Sequence, residues 1–347
     1  MRRYVLAARF VLPVLGFFLA GSLSLAQTQA PMNYDGNPGG VRYLEEGQRP
    51  ALVFPTVEAS RQARAAQHSR PRRSSNLSFH GGVSDGSAGS IGVETAPKVY
   101  VVFWGSQWNS NDPSGEASIL IGNGTGGFLG GVGGSSWNNS VTQYCQGVAS
   151  GTIFCNGAGT PAGNPSGTLA GFWYDNAGAA PAHPTQSQLA GEAVNAAGHF
   201  GNTSVTNNAS VQYVIATATG NSSSGFGTQY CAYHSSTSSS FGDVAYTNLP
   251  YITDAGASCG ANFNGLGPNA GITIVEGHEM AETESDQFPN GGWLDSGGSE
   301  NGDKCAWISS GQGASADIIL STGTYPVQSL WSNAFNNGAG GCVLSYP

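Results

Sequence analysis

The chain is 347 residues long; hydrophobic residues make up 39% of it, charged residues only 10%, and its formal net charge is −9. Ten of the twelve Lys and Arg lie at or before Arg73, so from Ser74 onward two lysines face seventeen carboxylates, a net −15 with no arginine. Such a surface repels nucleic acid and anionic membranes and carries no guanidinium clamp for phosphate, which removes both as partners.

At the N-terminus Arg2, Arg3 and Arg9 flank an apolar run, Phe10 to Leu19, that gives way to the small residues Gly21, Ser22, Ser24 and Ala26. This is the layout of a secretory signal peptide over residues 1–26, cleaved near Ala26. The run is interrupted by Pro13 and shorter than the roughly 20 apolar residues of a spanning helix. The expected location is extracellular or periplasmic, with no membrane partner once the signal is removed. Residues 27–95 differ from the rest: glycines and prolines from Pro31 to Gly40 precede a basic stretch ending in Arg70-Pro-Arg72-Arg73. They read as a propeptide or flexible leader with a processing site near Arg73, or as an uncleaved basic linker. Residues 96–347 then form a single domain, expected to be a monomer.

Within it, Val99-Tyr-Val-Val-Phe-Trp104 is a β-branched and aromatic run between Pro97 and Gly105, which predicts a buried strand. Residues 116–145 alternate apolar groups with glycines and predict a glycine-tolerant helix or loop. Thr185 to His199 predicts a helix capped by Thr185, and Val211–Thr217 and Val244–Tyr251 predict two more strands. The stretch 220–240 between those strands is dominated by Ser and Gly. Ile272 to Glu284 predicts a helix with one apolar and one carboxylate flank, 289–302 an acidic loop, and 325–344 a closing pair of strands. The class is α+β: a mixed β-sheet packed on the 272–284 helix, stabilised by disulfides. Six cysteines and an export signal imply three disulfides and no free thiol. The simplest pairing joins neighbours: Cys145–Cys155, Cys231–Cys259 and Cys305–Cys342.

Eight of the seventeen carboxylates after Ser74 fall between Glu276 and Asp303. Like charges packed this tightly call for a neutralising cation. Within the cluster, His278 and Glu282 stand at i and i+4 on one helical face, the spacing that grips one ion. Glu279 sits one residue round, where a glutamate serves as general base in the His-Glu-x-x-His helix of zinc proteases. With Glu282 in place of the second histidine the ligand set is harder but still accepts zinc. Candidates for a third metal ligand are Asp286, one turn further along the helix, and Asp295, Glu300 or Asp303 from the following loop, with Glu300 ranked first and Asp303 next. An all-oxygen loop of this composition also suits calcium. His234, in Tyr230-Cys-Ala-Tyr-His234, joins Glu279 as a candidate catalytic residue, or serves as a structural hydrogen bonder. No Gly-x-Ser-x-Gly elbow and no phosphate-binding glycine loop occurs.

The ordered set Val99–Trp108, Tyr230–His234, Gly277-His-Glu-Met-Ala-Glu282 through Asp286, Glu300-Asn-Gly-Asp-Lys-Cys305 and Val327–Asn333 resembles a family of secreted, largely uncharacterised microbial proteins over residues 97–346. The helix motif resembles that of zincin-type metallopeptidases. The Cys-Ala-x-His segment is more faintly similar to plant Exordium, or phosphate-induced, proteins. The residues and the resemblance together lead to the expectation of a metal-dependent peptidase acting on protein or peptide, its divalent ion zinc before calcium; the leader would keep it latent until cleaved near Arg73. Two other readings stay open: a non-catalytic, calcium-stabilised extracellular or cell-wall protein, and a metal-free acid peptidase using paired carboxylates.

Overall fold

The computed structural model describes residues 40–67, 76–109 and 111–346. The expected signal peptide and the Arg70–Arg73 cluster lie outside the described residues. Seven strands form one mixed sheet: β1 (Val41–Arg42), β2 (Ala51–Pro55), β3 (Lys98–Trp104), β4 (Leu169–Asp175), β5 (Val211–Thr217), β6 (Tyr230–Ser239) and β7 (Gly242–Leu249). Across the sheet they run β1-β2-β6-β7-β5-β3-β4. The half from β7 to β4 is parallel; β6 pairs antiparallel with β7 on one side and β2 on the other, and β1 with β2.

Period-two alternation assigns the strand side chains to opposite faces. Val102, Val211, Tyr213, Ile215, Tyr233 and Tyr246 pack with Leu189, Ala193 and Ala197 of helix α2 (Gln186–His199). Thr185 caps that helix through a reciprocal capping box with Gln188. On the other face Val99, Val101, Phe103, Val214 and Ala232 share a core with Ile274, Val275 and Met280 of α3 (Ala270–Ser285). The α+β class and the disulfide-braced mixed sheet are thus as expected. The disulfides are Cys145–Cys155, Cys231–Cys259 and Cys305–Cys342, with Cα–Cα distances of 6.2, 5.5 and 5.6 Å. No described helix is long and apolar enough to cross a membrane.

Three features differ from the sequence reading. First, the described part of the supposed flexible leader is folded, so the ordered chain begins well before Lys98. Every residue of β2 is buried, and a helix, α1 (Val57–Gln67), follows it. Arg64 of α1 donates to the carbonyls of Ala306 and Trp307 at 2.5 and 3.0 Å. The apolar run Ala51-Leu-Val-Phe54 between Pro50 and Pro55 is a short strand signal overshadowed by its glycine- and arginine-rich surroundings. Second, β4 and β6 were not expected: β4 is half-exposed and interrupted by Gly171, and β6 ends in Ser235-Ser-Thr-Ser-Ser239, a composition shared with loops. Third, α3 has no solvent-facing carboxylate flank, because every residue from Ala270 to Ser285 is buried. Gly277 lets it pack closely: a Cβ there would lie 3.1 Å from Phe128 and 3.3 Å from Trp137. Helices buried all round are normally apolar, yet α3 carries Glu276, His278, Glu279, Glu282 and Glu284 into the core.

Candidate metal centre

Three segments bring the charged groups together. α3 supplies His278, Glu279 and Glu282; β6 supplies His234, whose alternation with Tyr233 turns it toward α3; the loop after Trp293–Leu294 supplies Glu300 and Asp303. Asn301 fastens that loop to the helix, donating to Ala281 O at 2.9 Å and Ser285 Oγ at 2.7 Å. The Asp303 backbone N–H donates to Glu282 Oε1 at 2.8 Å, and the Cys305–Cys342 bridge follows immediately. His234, His278, Glu279 and Glu300 are each 0% exposed and Glu282 is 1% exposed, while Asp303 is only partly buried, so the cluster is buried except on its Asp303 side.

Gln328 determines which nitrogen of His278 is free. Its amide nitrogen donates to Gly302 O at 2.9 Å and Ser329 O at 3.2 Å, which turns its Oε1 toward His278 Nδ1, 3.3 Å away. An amide oxygen only accepts, so Nδ1 carries the proton and Nε2 is a bare lone pair. That Nε2 faces Glu282 Oε2 at 3.0 Å, and neither atom has a hydrogen-bond partner. Two acceptors held this close in the core need a proton or a cation between them. Glu279 Oε1 and Oε2, Glu300 Oε1 and Asp303 Oδ1 are likewise buried and unpartnered. This donor set fits a divalent ion. Two overlapping triads share Glu282: His278–Glu282–Asp303 and His234–Glu279–Glu282, in each of which one atom per residue lies within 4.8 Å of the others.

Electrostatics follow from burial. It pushes the Glu279, Glu300 and Asp303 carboxyls well above their ordinary range, and repulsion from Glu282 adds to it. Burial acts on Glu282 in the same sense, but a proton on His278 Nε2, the alternative to a cation between the two groups, reverses the outcome and holds that carboxyl below its ordinary range. Burial lowers the His234 imidazole to about 4, against the pull of Glu282, so His234 is neutral at physiological pH, as a metal ligand must be.

The sequence-predicted residues are mostly gathered here, with changes of rank. Asp303, not Glu300, completes the triad with His278 and Glu282; Glu300 Oε2 instead hydrogen-bonds His234 Nε2 at 3.0 Å. His234 sits among the ligands themselves, 3.8 Å from Glu282 Oε2. Asp286 joins neither triad: it accepts backbone N–H groups of Asn290, Gly291 and Gly292, closing the turn after α3, and meets the centre only through the Glu300 carboxyl. Asp295 caps its own turn at Gly297 and pairs with Lys304 at 2.8 Å. Sequence reasoning missed the roles of Gln328 and of Phe54, whose ring stacks on His278 at 3.8 Å and 13°. No local signal marks either one.

Gly302 is confined by the ligands. Its φ of −76° suits any residue, but a Cβ would come 2.6 Å from His278 Nδ1 and 2.9 Å from Glu282 Oε1. Gly302→Ala is expected to weaken metal affinity by roughly 10- to 100-fold through displaced ligands. Competition against a chelating dye measures this, and unchanged affinity would mean that the two side chains hold no ion. No protein-family model, no curated protein and no solved structure matches the chain.

Proposed function

We propose that the protein is an exported, metal-dependent hydrolase acting on peptide bonds, with His278, Glu282 and Asp303 as principal ligands. The supporting observation is the unpartnered contact of His278 Nε2 with Glu282 Oε2 at 3.0 Å. Two imidazoles among carboxylates favour zinc or a similar transition ion over calcium, which prefers oxygen alone. Such an ion, when bound, supplies Lewis acidity that makes water a nucleophile near neutral pH. Glu279 then acts as the proton acceptor. Both its oxygens are unpartnered, and burial raises its affinity for a proton, the property a proton acceptor uses. His278 is held in one tautomer by Gln328, and the buried walls exclude bulk water.

Burial of all the candidate ligands but Asp303 supports a second reading, in which the ion is purely structural. One variant separates them. In processed, metal-loaded protein, Glu279→Gln should retain stoichiometric metal yet lose roughly 10²- to 10⁴-fold in peptide hydrolysis. Activity of both forms is read on a quenched-fluorescence peptide library, with metal content measured by plasma mass spectrometry. Equal turnover by the two forms, or none by either, assigns the ion a structural role.

A further inference from the structure

We propose that β6 is a docking strand for an extended peptide, and that residues Ala51–Pro55 occupy it here as a built-in ligand. This deepens the hydrolase reading, on which it rests for what becomes of a bound peptide. β2 runs antiparallel along β6, with Leu52 opposite His234 and Phe54 opposite Ala232. The strand that contributes His234 is therefore covered by the N-terminal segment. The Phe54 ring lies between His278, at 3.8 Å, and Trp307, at 4.8 Å and 8°, while Trp307 Nε1 donates to Pro55 O at 2.8 Å. Main-chain pairing to a strand with an aromatic side chain in a fitted slot is how peptides are captured by β-augmentation.

Two independent features mark the segment as a ligand rather than a fixed part of the sheet. The first is the composition of β6. The stretch of β6 that β2 covers, Tyr230–Ser235, mixes Tyr, Cys and Ala with His234 and Ser235, and β6 runs on past β2 as Ser236–Ser239, paired there with β7 alone, so part of this edge already stands open and carries the polar composition of an edge strand. The second is the placement of basic residues. Ten lie at or before Arg73 and only Lys98 and Lys304 beyond it. Lys98 belongs to β3, and Lys304 is paired with Asp295 and lies over the Trp331 ring at 4.4 Å. A protease specific for basic residues thus meets most of its sites in the N-terminal segment and only Lys98, exposed but hydrogen-bonded into β3, and Lys304 beyond it. The segment is held partly by charge: Arg49 meets Asp243 at 2.6 Å on a domain of opposite sign. Once cut, its docking depends on concentration instead of tethering. The ligand class is an extended apolar segment with an aromatic side chain over His278.

The test treats metal-loaded full-length protein with trypsin and follows three readouts. They are separation of the N-terminal fragment on dilution, the rate at which a chelator withdraws the ion, and binding of a labelled synthetic peptide of residues 48–57. The fragment should dissociate, extraction should quicken roughly tenfold or more, and the peptide should rebind about tenfold or more tightly than its Phe54→Ala version. A fragment that stays at every dilution, or whose loss unfolds the remainder by circular dichroism, makes β2 an integral strand and overturns the proposal. If trypsin leaves the chain uncut, Phe54→Ala in the intact protein should by itself accelerate extraction; an unchanged rate rejects the slot. Peptide rebinding without turnover, in contrast, removes the hydrolase reading and leaves the groove standing.

Discussion

If the proposed centre holds a divalent ion, its withdrawal should lower the melting temperature by on the order of 10 °C, the shift expected for losing a ligand present at about a thousand times its dissociation constant. The cause is the company Glu282 keeps. Glu279, Glu300 and Asp303 all repel it, and in the core no water screens them. Without a cation the cluster folds only by taking up protons, which costs stability at neutral pH. His278→Ala removes the nitrogen facing Glu282 and is expected to abolish stoichiometric zinc, with a comparable fall in melting temperature. Plasma mass spectrometry and calorimetry on wild type and variant read both. Calcium content insensitive to the substitution would replace the mixed nitrogen–oxygen centre with an all-oxygen one. No metal in either form would end the metal reading.

The metal-free protein melts higher at pH 5 than at pH 8, the reverse of ordinary acid denaturation. Glu94 and Glu116 lie away from the centre and are 0% and 2% exposed. Burial raises each to about 8, offset in part by the Gln212 amide for Glu94 and the Ile252 N–H for Glu116. In the unfolded chain both titrate near 4.5. Between those values the folded state binds more protons, so stability falls as pH rises. Each group contributes a slope of about 1.4 kcal/mol per pH unit while the folded form is protonated and the unfolded form is not. The contribution is complete below about 4.5 and lost as pH passes about 8. At the proposed metal centre protons would compete with the ion, so its stabilisation should grow with pH instead. Melting curves with chelator and with zinc should therefore converge toward pH 5 and separate toward pH 8. A chelated protein whose melting temperature is flat or climbs with pH would show that these glutamates are charged in the fold.

What the sequence revealed and what it concealed divide along physical lines. Strand β5 was legible residue for residue, Val211–Thr217, and α2 nearly so, because each couples a strong local pattern to clear boundaries. The i, i+4 pair His278–Glu282 was legible because helical geometry alone places the two side chains together. Asp303 and Glu300 were both named, but their order was not derivable. Which of them turns toward His278 depends on the loop's anchorage through Asn301 to α3, a contact between residues 20 positions apart. β6 was hidden because serines favour turns as readily as a strand whose pairing is set by its neighbours. Phe54 was unreadable for a stronger reason: it meets His278 across more than two hundred residues, and its own surroundings argued against order.

The three disulfides have a consequence for how the chain acquires them. They span 10, 28 and 37 residues, and none encloses or crosses another. An oxidant meeting the chain as it emerges N-terminus first joins the first cysteine to the second, the third to the fourth and the fifth to the sixth, and every such bond is native. The protein can therefore be fully oxidised vectorially, with no wrong partner to undo and no need for an isomerase, whereas oxidation of the complete denatured chain exposes all six thiols to mispairing at once.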